Sequence, residues 1–268
     1  MAQKSYKISH PEYMHVYKDG EALYGCDQDW YRIEWRRRAG CGPVAATNIL
    51  MFLRKRYDVA RIPYNNDSIE NAVAAMNDVF VYVRPKRRGL HTVKKFVRGM
   101  CKFGRSYGLR FWYQYIVVPP QASKRPDICE VAKFIEDGLK NDVPIAFLNL
   151  DAGEVEEQLS SWHWVTVVGM TFRDCAEAGA GIVVGADAEA GAEADVGSDA
   201  DGRTQLAEAD ADADTDGKKM AANSAEYTLR YYDQAKCLEV DLGKWLGTTA
   251  WGGGFAYFCN PSPRKNHP

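Results

Sequence analysis

Apolar positions recur at helical spacing in the first half of the chain and in β-branched and aromatic runs in the second. Around 43–57, Ala46, Ile49, Leu50 and Leu53 fall on one helical face, with Pro43 suited to a first turn. Asp67 followed by Glu70 three residues later reads as a capping-box start for a helix over 67–79. Two further helices are predicted over 92–103 and 127–140. Strands are predicted over 109–118, 144–150, 162–172, 226–234 and 254–259, where Val, Ile, Tyr, Phe and Trp concentrate. A helical front followed by a stranded back indicates an α+β fold with a largely antiparallel sheet.

One segment breaks this pattern. Residues 174–223 are dominated by Ala, Gly, Asp and Glu and carry no aromatic residue. Such a stretch buries too little apolar surface to offset its ordering entropy, so it reads as a disordered acidic insertion within a single domain spanning 1–268. Residues 181–184 could form a frayed strand within it. Asp212-x-Asp214-x-Asp216-Gly217 opens like a calcium loop, but the twelfth position is Asn223 where a bidentate Glu is required. An alternating Ala-Asp run is the simpler account.

Length and composition set the remaining bounds. The chain has 268 residues, is 46% hydrophobic and 12% aromatic, and has a net charge of −2, from 34 Lys and Arg against 36 Asp and Glu. Such a chain can build a substantial core, and its charge supplies no general attraction to nucleic acid or anionic membrane. No run reaches the roughly 18 apolar residues of a membrane helix, and the N-terminus begins polar, so a cytoplasmic protein is expected. Seven scattered cysteines without a Cys-x-x-Cys pair argue for reduced thiols, most of them buried fillers, over disulfides or zinc. Neither a phosphate-binding glycine loop nor a cluster of metal ligands is present, and no cofactor is expected. The stretch 84–110 is basic (Arg84, Lys86, Arg87, Arg88, Lys94, Lys95, Arg98, Lys102, Arg105, Arg110). A solvated helix face is the preferred reading, over a nucleic-acid or acidic-partner site or an electrostatic tether for the chain's own acidic insertion.

Cys41 differs from the other six. In Ala39-Gly40-Cys41-Gly42-Pro43 it stands at the mouth of a helix, where free N–H groups and the positive end of the helix dipole favour thiolate over thiol. Gly40 and Gly42 would let a substrate backbone lie close, and backbone N–H groups could receive an oxyanion. Of five histidines, His10, His15 and His267 lie near the ends, and His91 lies in the basic stretch, expected to be exposed. His163, at the entrance of the apolar strand Trp162-His163-Trp164-Val165-Thr166-Val167-Val168-Gly169, is the candidate base. Asp233 closes the next well-formed strand and could orient the ring. Trp162 and Trp164 are candidates to line a substrate groove.

His163 follows Cys41 by 122 positions, near the roughly 130 seen in papain relatives. The order Cys, His, Asp resembles the papain-like cysteine peptidases. Gly-Cys-Gly-Pro-x-Ala-Ala, His-Trp-Val-Thr-Val-Val-Gly and the closing Trp251-Gly252-Gly253-Gly254-Phe255 resemble the branch of the bacteriocin-processing, double-glycine-leader peptidases. The likeness spans about 28–258 apart from the insertion. It implies a papain-like fold, Cys41 as nucleophile, His163 as base then acid, and Asp233 as orienter. It further implies an oxyanion hole from the Cys41 N–H and a glutamine. Gln28 is the nearby glutamine, with a solvent-facing loop amide as the alternative. The expected substrate is a peptide or protein. An acyltransferase using the same thioester, or a peptide-binding module with a vestigial triad, remains open.

Overall fold

In a computed structural model, the structure describes residues 3–64, 68–87, 89–173 and 226–263. All of these belong to one unit. The acidic segment 174–223, with its candidate strand and calcium-like loop, lies outside the described residues, as does Asp67.

Among the described residues the chain forms six α-helices and a seven-stranded antiparallel sheet, an α+β arrangement. The long helix α2 (Cys41–Arg56) is buried along Gly42–Leu53, because Ala45, Ala46, Ile49, Leu50, Phe52 and Leu53 pack inward all round it. It is preceded by the short helix α1 (Glu34–Ala39) and followed by α3 (Ile69–Tyr82). Ser68, not Asp67, caps α3, its hydroxyl accepting from the Asn71 N–H at 3.2 Å. Helix α4 (Val93–Ser106) buries Val93, Phe96, Val97, Met100 and Phe103. Its opposite face exposes Lys94, Arg98, Lys102 and Arg105, so much of the basic stretch is a solvent-facing helix stripe. Helix α5 (Ile128–Lys140) is capped by Asp127.

The sheet is built from β4 (Leu109–Val118), β5 (Ile145–Asn149), β6 (His163–Arg173), β7 (Glu226–Asp233), β8 (Lys236–Asp241) and β9 (Gly253–Pro263), in the order β4-β9-β5-β6-β7-β8. An N-terminal strand, β1 (Gln3–Lys7), pairs with Gly169–Arg173 of β6. Because β7 occupies the other side of β6, β1 and β5 lie end to end along the same side of that strand. Strand β6 is therefore central, and its residues His163–Met170 are all buried. A separate hairpin, β2 (Val16–Lys18) with β3 (Glu21–Leu23), stands apart, and α6 (Leu242–Thr248) links β8 to β9. No helix among the described residues is long and apolar enough to cross a membrane.

Several of these elements carry no strong sequence pattern. β1 is Gln-Lys-Ser-Tyr-Lys with only Tyr6 partly buried, α1 is Glu-Trp-Arg-Arg-Arg-Ala with only Ala39 buried, and β8 is mostly exposed. Their places are set by pairing partners and not by an apolar face.

Candidate functional site

Cys41 is the first residue of α2, so its N–H has no acceptor within the helix. Gly40 is the single residue between α1 and α2, and the reason for glycine there is local. A Cβ at Gly40 would lie 2.5 Å from the Tyr31 ring and closer still to the Arg36 carbonyl. At Gly42 a Cβ would lie 2.7 Å from Leu90 Cδ2. Both glycines are buried against neighbours of their own chain, so they allow α1, α2 and Leu90 to close on one another. The expectation that they leave space for a substrate is corrected accordingly.

His163 opens β6, opposite Asn149 of β5. Asp233 ends β7, and the register Thr166↔Tyr232 brings that end to the beginning of β6. Asp233 is followed by a two-residue turn, Gln234 and Ala235, both at positive φ (46° and 60°), before Lys236 pairs back with Asp233. That geometry is the type I′ hairpin turn, here made without glycine. The outcome is a 2.7 Å hydrogen bond between His163 Nε2 and Asp233 Oδ1, with side-chain exposures of 8% and 15%.

The ring also interacts with Cys41. Burial alone pushes the His163 imidazole down, but the hydrogen bond to Asp233 and the nearness of Cys41 reverse this and raise it to about 10. Among the described residues, then, the three side chains chosen from sequence come together: sulfur, imidazole, carboxylate. Cys41 remains partly exposed while the imidazole is buried behind it. Such an arrangement can hold a thiolate against an imidazolium and move one proton between the ring and a group approaching the sulfur.

No family model, curated protein or solved structure matches this chain.

Two buried amides that sequence reading overlooked set the site's frame. Asn48 on α2 accepts from the Cys26 N–H at 2.9 Å and donates to Thr166 Oγ1 at 3.2 Å. It ties the helix that Cys41 opens both to β6 and to the segment leading to Gln28. Asn149 accepts from Trp245 Nε1 at 2.8 Å and donates to the Ser160 carbonyl at 2.7 Å, fixing the turn that enters β6. Asn48 could have been noticed as a polar residue directly before the apolar run Ile49-Leu50-Met51-Phe52-Leu53.

Gln28 opens a short 3-10 turn, is half-buried, and its side chain makes no hydrogen bond among the described residues. The adjoining Asp27 is close enough to Asp233 to feel its charge: burial raises the Asp27 carboxyl and the Asp233 carboxylate adds to the effect. The two tryptophans expected in a groove separate. Trp162, at φ 57°, is 54% exposed and stands 6.4 Å from Trp251, ring to ring, over a cleft of about 720 Å³ beside Cys41. Trp164 is buried, stacked on Phe96 at 4.4 Å, and donates from Nε1 to the Leu90 carbonyl at 2.6 Å. It is a core residue that anchors the loop before α4. Through that anchor His91, expected to be exposed, becomes half-buried and lines the cleft.

The other thiols also depart from expectation. Of the six described cysteines, only Cys26 and Cys259 are buried, while Cys129 and Cys237 are exposed; Cys175 lies outside the described residues. Burial pushes the thiols of Cys26, Cys101, Cys237 and Cys259 up, the last to about 11. No group of three or more His, Cys, Asp or Glu suited to a metal ion occurs among the described residues.

Proposed function

We propose that this protein is a thiol-dependent amide hydrolase of the papain-like kind, acting on peptides or proteins through an acyl-enzyme. The observation that carries the reading is the 2.7 Å Asp233–His163 hydrogen bond, on a ring whose ionisation is also raised by a neighbouring, cleft-lining cysteine, Cys41. In acylation the Cys41 sulfur forms a bond to the substrate carbonyl carbon. The carbonyl oxygen becomes an oxyanion facing the Cys41 N–H, and the Gln28 amide is the candidate second donor. As the intermediate collapses the C–N bond breaks, and the imidazolium of His163 gives its proton to the leaving amine. In deacylation His163 takes a proton from water, the hydroxide adds to the thioester carbon, and the S–C bond breaks to restore the thiolate. Asp233 keeps Nε2 of the ring occupied, which leaves the other nitrogen for the sulfur and the substrate.

The same chemistry serves an acyltransferase if an amine replaces water in the second step. A binding module would need none of it. The pairing of the His163 imidazole with a carboxylate, beside a cysteine that opens a helix and lines a cleft, favours the enzyme over the module. The test is to incubate the full chain with a mixed peptide library and read it by mass spectrometry. Cleaved peptides together with a thioester adduct on the Cys41-containing fragment support the reading. Equal peptide profiles from the wild-type chain and Cys41→Ala refute it.

A further inference from the structure

We propose that the cleft beside Cys41 selects an extended peptide segment that carries a carboxylate next to an aromatic or aliphatic side chain. This rests on the thiol-hydrolase reading and adds a substrate class to it. The cleft is walled by α1, by the connection from α3 to α4, and by the strand ends around Trp162 and Trp251. Its charge is one-sided. Arg38 and Arg87 line it from two different walls, and among the described residues no Asp or Glu lines it.

The three consecutive arginines of α1 make the point sharper. Arg36 bonds to Asn77 and lies over the Phe80 ring at 4.7 Å. Arg37 donates to the Tyr31 carbonyl at 2.9 Å. Arg38 alone has neither a hydrogen bond nor an ion pair among the described residues, and it is the one that reaches the cleft. Arg87 is likewise exposed, and among the described residues it has no hydrogen-bond or ion-pair partner. Two unneutralised guanidinium groups at the walls of a concave, partly apolar site concentrate anions there, and each presents a planar fork that fits a carboxylate. The remaining surface is aromatic: Trp35, Trp162 and Trp251 are 45%, 54% and 57% exposed around the same cleft. Single exposed tryptophans need no explanation, but three around one cavity mark a recognition surface. Cations with stacking surfaces would also suit a polynucleotide. The peptide is preferred because the cations share their cleft with a sulfur placed to attack a carbonyl carbon.

The test compares the alkylation of Cys41 by iodoacetate and by iodoacetamide in the full chain. In each case a bond forms from sulfur to the methylene carbon and iodide leaves, so the reagents differ chiefly in the carboxylate. The iodoacetate-to-iodoacetamide rate ratio should fall about tenfold in the double variant Arg38→Glu, Arg87→Glu, and the wild-type ratio should fall with added salt. Brisk labelling by both reagents with a ratio untouched by charge reversal overturns the proposal while leaving the hydrolase reading standing. Failure of Cys41 to label ahead of the other thiols defeats the hydrolase reading instead. A second arm needs no reactivity: binding of short peptides to Cys41→Ala, followed by tryptophan fluorescence. Peptides pairing Asp or Glu with Leu or Trp should bind, and the arginine reversal should abolish that binding. Equal binding of C-terminally amidated and free-acid forms assigns the carboxylate to a side chain; binding of the free acid alone assigns it to a chain end. Equal binding of lysine-containing peptides, or binding of a single-stranded oligonucleotide in place of the acidic peptides, overturns the proposal.

Discussion

Replacing Asp233 with Asn removes one negative charge and leaves the side chain's shape nearly unchanged. The charge sits 2.7 Å from Nε2 of a ring whose side chain is only 8% exposed, so solvent screens little of the interaction. An opposite charge at that distance shifts an ionisation by about 1–3 units, equivalent to about 1.4–4 kcal/mol. In Asp233→Asn the burial of the ring, which pushes its ionisation down, is no longer offset by the carboxylate, though Cys41 still is beside it. The His163 titration should therefore move down by about 1–3 units from its wild-type position of about 10. The assay is the pH dependence of the imidazole Cε1–H resonances by NMR. With five histidines in the chain the spectrum is tractable, and His163 is assigned as the resonance absent from His163→Gln. Because the pair is buried, the shift should persist in high salt. A His163 titration that does not move on loss of the carboxylate would refute the electrostatic role given to Asp233, whatever happens to activity.

Three further outcomes follow from the same geometry. Because the folded-state ionisation of His163 lies above its ordinary value, it contributes stability that is complete below 6.5 and lost as pH rises toward about 10; chemical denaturation should show that decline in the wild type and a flatter profile in His163→Gln. Asn48→Leu leaves the Cys26 N–H and the Thr166 hydroxyl without their partner, which should cost about 2–4 kcal/mol in urea unfolding and slow Cys41 modification as α2 shifts against β6. Gly40→Ala presses a methyl into Tyr31 and the Arg36 carbonyl, and a loss of about 1–3 kcal/mol is expected from the same unfolding assay.

The elements most legible in the sequence were those with an apolar face of their own. The strand expected over 109–118 is β4 (Leu109–Val118) to the residue, since an aromatic and β-branched run there is bounded by Gly108 and Pro119. The helix beginning near Pro43 was read from Ala46, Ile49, Leu50 and Leu53, all of which are buried. β1 was invisible because a polar pentapeptide gains its place only from the edge that β6 offers it. At the site, the residue types at a helix mouth and at two strand ends single out Cys41, His163 and Asp233, and of these His163 and Asp233 are hydrogen-bonded in the fold. The cleft was not legible. Trp162 and Trp164 look equivalent in sequence, yet the positive φ at Trp162 turns one ring to solvent while the other stacks in the core. Likewise His91 sits among charges, and only the Trp164–Leu90 hydrogen bond reveals that its loop is pulled inward.

The central claim is that His163 makes the Cys41 sulfur a nucleophile. The most direct measurement is the rate at which each thiol is alkylated at mildly acidic pH, resolved by peptide mass spectrometry, in the wild-type chain and in His163→Ala. Burial disfavours the thiolates of Cys26, Cys101, Cys237 and Cys259 under those conditions, so the background from these four is low, and the exposed Cys129 serves as the reference for an ordinary accessible thiol. The account predicts that Cys41 reacts far ahead of every other cysteine and loses that lead when the imidazole is removed. Uniformly slow labelling of all the thiols, or a Cys41 rate indifferent to the loss of His163, would contradict it.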